Sequence, residues 1–89
     1  MSTCYLIKFY QKRHAEVEEQ IATVRSTIDR LELLQAKLQL SSDEDFDWDA
    51  SLKLDVEILQ QLMLEGSLLE YNAKLAQKLA DLHMEAGDF

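Results

Sequence analysis

Proline is absent from the chain, glycine occurs only as Gly66 and Gly87, and cysteine only as Cys4. Such a sequence cannot punctuate the short strands of a β-sandwich or barrel, and it has no glycine-rich loop to cradle a phosphate. An all-α fold is what remains. A single cysteine forms no internal disulfide, and no apolar run reaches the length of a signal peptide or a membrane span. The expectation is a reducing, cytoplasmic setting. Basic residues are scarce too: nine Lys and Arg against seventeen Asp and Glu give a net charge of −8 and an isoelectric point near 4.5. That balance argues against nucleic acid and anionic membranes as partners and directs any charged encounter toward a basic protein surface.

What is present is a sequence built to fold. Hydrophobic residues make up 47% of the 89 and charged residues 29%, the balance of an ordinary globular chain. A single domain of this size buries only about 60–65% of its unfolded surface, so its core is thin. The strongest pattern steps alternately by three and four residues through Ile7, Tyr10, His14, Val17, Ile21, Val24, Ile28, Leu31, Gln35 and Leu38. Eight of these ten are apolar, which predicts one long helix over about 4–40 with a coiled-coil seam. Ile7, His14, Ile21, Ile28 and Gln35 take the a positions. Polar groups at His14 and Gln35 cost stability there and restrict register. Leu33, Leu34 and Leu40 widen the apolar face toward the end of this helix.

Residues 41–49 break the rhythm with five acids and no base. Ser41 with Glu44 and Ser42 with Asp45 match helix-start capping boxes, so a connection followed by a helix start is expected. Both serines also have the surroundings of phosphorylation sites. Beyond the connection, Leu52, Val56, Leu59, Leu62 and Met63 recur at helical spacing, as do Leu68, Leu75, Leu79, Leu82 and Ala86. On a helical projection the two sets centre more than a quarter turn apart, with Gly66 between them. The chain is therefore expected to be an antiparallel helical hairpin with a return leg over about 50–86, kinked at Gly66 or broken there into a three-helix unit. Ala73, Ala76 and Ala80 add a stripe of small residues that admits a close helix neighbour.

Catalytic, cofactor and metal sites are not expected. A helical rod offers little concavity and no nucleophile or acid–base motif appears. His14, His83 and Cys4 fall toward one end of a hairpin, but at no known zinc spacing. Asp43, Asp45, Asp47 and Asp49 alternate like a calcium loop, yet a loop begun at Asp43 places Trp48 and Leu54 where glycine and a bidentate glutamate are needed. The same stretch reads either as a solvated connection, with Phe46 and Trp48 folded over the end of the core, or as a docking segment of Asp43, Asp45, Phe46, Asp47 and Trp48 for a basic pocket.

The functional expectation is a non-enzymatic module that works by helix-to-helix contact, as an assembly factor, adaptor or small chaperone. Small acidic helical chaperones are similar in size and architecture alone, without a shared motif. The interface is expected along Ile7, Tyr10, Val17, Ile21, Val24, Ile28, Leu31, Leu34, Leu38, Leu68, Tyr71, Leu75, Leu79 and Leu82, facing a second copy or another helical protein. Residues 1–14 carry a charge of +3 and residues 41–57 one of −6, so a homodimer should be antiparallel. The competing reading is an acidic mimic of nucleic acid that blocks a basic groove.

Ile21→Asp or Ile28→Asp should lower stability by several kcal/mol, the order of burying an unpaired carboxylate. Substitutions at Glu19 or Asp29 should change little. Thermal melts of the four variants check the register, and equal behaviour would show it to be wrong.

Overall fold

Long helices with one apolar stripe gain most of their stability from packing rather than from propensity, and here each helix is the other's packing partner. The computed structural model describes residues 3–40 and 46–87. Helix α1 spans Thr3–Gln39 and helix α2 spans Trp48–Glu85. They pack along their lengths as an all-α antiparallel hairpin, a rod 67 Å long and 20 × 14 Å across. Its radius of gyration is 19.9 Å, against about 12 Å for a compact domain of this length.

Every position of the α1 seam, from Ile7 to Leu38, is buried or half-buried. Ile7, Val17, Ile21, Val24, Ile28 and Leu31 form its buried part, and full burial of such a side chain stabilises by about 1.5–3 kcal/mol. On α2 the facing positions are Ser51, Leu54, Ile58, Gln61, Glu65, Leu68, Asn72, Leu75, Leu79 and Leu82. They follow the same three–four rhythm in reverse, so one antiparallel register serves the whole rod. Val17, Ile21 and Leu75 make the densest cluster, with Tyr10 and Leu68 against it.

The helix ends have local causes. Asp47 is the N-cap of α2, its carboxylate accepting from the Ala50 backbone N–H at 3.0 Å, and Asp49 in the first turn complements the helix dipole. The helix thus begins at Trp48, two residues earlier than its hydrophobic pattern suggests. At the far end Gly87 adopts φ +71°, the left-handed conformation that glycine takes without steric cost, and its N–H donates to the Met84 carbonyl at 3.0 Å. α1 closes with a Leu40 N–H bond to the Lys37 carbonyl, and the Lys37 charge lies in the last turn.

Gly66 neither stops nor restarts the chain. α2 is helical from Trp48 to Glu85, which removes the three-helix alternative. The change of apolar face at this residue has another origin. Before Gly66 the apolar set is exposed, Leu62 at the border of a cleft beside α1, and after it Leu68, Leu75, Leu79 and Leu82 pack toward α1. One continuous helix thereby serves two different surfaces.

A Cβ added at Gly66 meets nothing within 4 Å. Gly66→Ala should therefore stabilise the hairpin by about 0.5–1 kcal/mol through helix propensity. Thermal unfolding of dilute protein measures this, and a lower midpoint would show that the helix depends on a conformation only glycine supplies.

Candidate interaction surface

The polar groups within the rod are disposed for structure. Gln35 Nε2 donates to Ser51 Oγ at 3.3 Å and also to the Asp55 carboxylate, linking the two legs near the connection. Arg25 Nε donates to Glu65 Oε2 at 2.9 Å across the middle of the seam. The arginine side chain is 58% exposed, which limits such a pair to about 1 kcal/mol or less. Gln35 Oε1 and Asn72 Oδ1 are buried without a partner among the described residues. His14 Nδ1 lies 3.5 Å from Glu18 Oε1 on the same helix. Among the described residues no group of three His, Cys, Asp or Glu side chains is arranged to hold a metal ion. No helix among them is long and apolar enough to cross a membrane.

The clefts beside the seam are shallow and open. One is lined by Gln20, Thr23, Val24, Leu64 and Leu68, and another by Arg25, Asp29, Glu32, Leu62 and Glu65. The surface that stands out is convex and apolar. Exposed large hydrophobics concentrate between Leu33 and Leu64, and include Leu40, Trp48, Leu52, Val56, Leu59, Leu62 and Met63. Leu52 and Val56 form a groove with Lys53 and Glu57.

Four of these residues, Trp48, Leu52, Leu59 and Leu62, belong to a second seam. Beginning at Trp48 and stepping by four and three, α2 carries Trp48, Leu52, Asp55, Leu59, Leu62, Gly66, Leu69, Ala73, Ala76, Ala80 and His83. All but His83 are exposed, with Trp48 at 70% and Leu59 at 59%. Asp55 and His83 are its only ionisable members. α2 is thus apolar on two faces, one against α1 and one against solvent.

The residues anticipated as a partner interface divide between these surfaces. Ile7, Val17, Ile21, Val24, Ile28, Leu31, Leu75 and Leu82 are buried against the other leg of the same chain, and Tyr10, Leu38, Leu68 and Leu79 are half-buried in the same seam. Leu34 and Tyr71 remain exposed at its edge. Sequence reasoning missed Ser51, Leu54, Ile58, Gln61, Glu65 and Asn72 as seam residues. The signal that could have found them is the spacing counted back from Leu75, which the polar residues disguise. In the docking segment, Asp43 and Asp45 lie outside the described residues, as do Ser41, Ser42 and Glu44 with their capping and phosphorylation readings. Phe46 is half-buried, whereas Trp48 does not fold over the core. They pack edge to face on each other with centroids 4.7 Å apart, leaving Trp48 in solvent at the start of the second seam.

Comparison with protein-family models, with curated proteins and with solved structures gives no match.

Because Asn72 Oδ1 is buried without a partner, its desolvation is uncompensated. Asn72→Leu should stabilise the hairpin by about 1–2 kcal/mol. Denaturant unfolding checks this, and a loss of stability would show that the asparagine is satisfied in solution.

Proposed function

We propose that this chain is a non-enzymatic interaction module that presents the second seam of α2 to another helical surface. The observation that carries the reading is the length of that seam, solvent-facing from Trp48 to Ala80 and free of ionisable side chains apart from Asp55. Stripes of this length on a helix are the substrate of helix-in-groove and bundle packing. The apolar residues at stake, Trp48, Leu52, Leu59 and Leu62, are bulky, as the anchors of protein interfaces are. Assembly, adaptor and chaperone roles all use such a surface, and the acidic surroundings at Asp47, Asp49 and Glu57 favour approach of a partner with basic flanks.

Leu52→Glu/Leu59→Glu places two carboxylates on the second seam and none in the hairpin's own core. It should preserve helix content and lose at least about tenfold in affinity for any helical partner. Immobilised wild type and variant, compared at low and high salt, make the measurement. Equal retention by both would sink the reading. Retention that vanishes with salt for both would favour the acidic mimic instead, since packed apolar contacts respond weakly to ionic strength.

A further inference from the structure

We infer that the occupant of the second seam is a second copy of this chain, lying antiparallel with its two-fold axis near Leu64. This rests on the interaction reading above and names its partner. The seam is uneven in side-chain size: Trp48, Leu52, Leu59 and Leu62 fill its first half, whereas Gly66, Ala73, Ala76 and Ala80 fill most of its second. Helices pack closely where a bulky residue on one meets a small residue on the other. Laid against itself in reverse, this seam does so at most of its levels. Trp48 falls opposite Ala80 of the second copy, Leu52 opposite Ala76, Asp55 opposite Ala73 and Leu62 opposite Gly66, with Leu59 and Leu69 facing each other nearer the centre; the Asp55 carboxylate is taken up by Gln35 of its own chain. A parallel copy in register would oppose Trp48 to Trp48 and leave alanine facing alanine across a void.

Charge points to the same orientation. In the antiparallel pair the acidic end of one rod, with Asp47 and Asp49, lies beside the open end of the other. There Lys8, Lys12 and Arg13 on α1, with Lys74 and Lys78 on α2, outnumber the acids Asp81 and Glu85. A parallel pair would stack each acidic connection on its own copy, with seven acids against one lysine over residues 41–57 in both. The exposed area is also of the right size. The chain exposes 6774 Å², whereas a compact monomer of this mass exposes about 5,400 Å². The difference exceeds the roughly 800 Å² that a standard interface removes from each partner. Two hairpins joined along α2 have the four-helix cross-section that a single hairpin lacks.

The test is disulfide trapping of mixed single-cysteine variants of the full chain. In a Cys4→Ser background, Leu52→Cys and Ala76→Cys are oxidised separately and as an equimolar mixture. The mixture should yield cross-linked heterodimer about tenfold or more above the homodimer that either variant forms alone. Sedimentation equilibrium should give twice the 10.3 kDa chain mass for wild type and a dimer weakened about a hundredfold for Leu59→Glu, at unchanged helix content. Homodimer from each variant alone, without enrichment in the mixture, would overturn the antiparallel register. A wild-type monomer at 100 μM, taken as about the upper end of useful affinity, would overturn self-association itself. In that case differential retention of a different protein by wild type over Leu52→Glu/Leu59→Glu would leave the interaction reading standing. Equal retention would remove both.

Discussion

A helix pair can bury one stripe from each member and no more, and the shape of this protein follows from that constraint. α1 commits its single apolar stripe to α2, from Ile7 to Leu38. α2 has two stripes and only one neighbour. The result is a rod with radius of gyration 19.9 Å, a core one side chain deep, and an apolar face that nothing among the described residues covers. In a third or fourth helix packed alongside, that face would be ordinary interior.

The seam between the legs is also unequal along its length. Toward the open end it is built from Val17, Ile21, Leu68 and Leu75. Toward the connection α2 contributes Ser51, Gln61 and Glu65, and α1 contributes Gln35. Those polar residues are tied across the gap by the Gln35 bonds to Ser51 and Asp55 and by the Arg25–Glu65 pair. Hydrogen bonds of this kind fix register more than they add stability. They align the two legs where apolar packing alone would tolerate a slip.

Much of this architecture was legible in the sequence. Eight apolar residues in ten at seam spacing located α1, and the absence of proline and near absence of glycine excluded other fold classes. The return leg was harder because its most conspicuous leucines are the wrong ones. Leu52, Leu59 and Leu62 catch the eye, yet Ser51, Leu54 and Ile58 face α1. Hydrophobicity locates an apolar face without saying which neighbour it has, and two faces offset around one helix read as a break. Gly66 strengthened that impression, although glycine in an exposed helix position only weakens propensity. Most of the interface residues expected on α1 are buried or half-buried against α2, Leu34 excepted, since the pattern cannot distinguish a seam closed by the same chain from one closed by another.

The half of the rod with the more polar internal seam is the half that carries the bulkiest exposed side chains. Local opening free energy tracks buried apolar contact, so amide hydrogens around Ser51–Glu65 should exchange with solvent sooner than those around Val17 and Leu75. A molecule docking over Leu52 and Leu59 would therefore land on the less protected half and hold it shut. Occupancy of the outer face and order of the inner seam become one equilibrium, in which a bound neighbour reaches the connection between the legs without touching it.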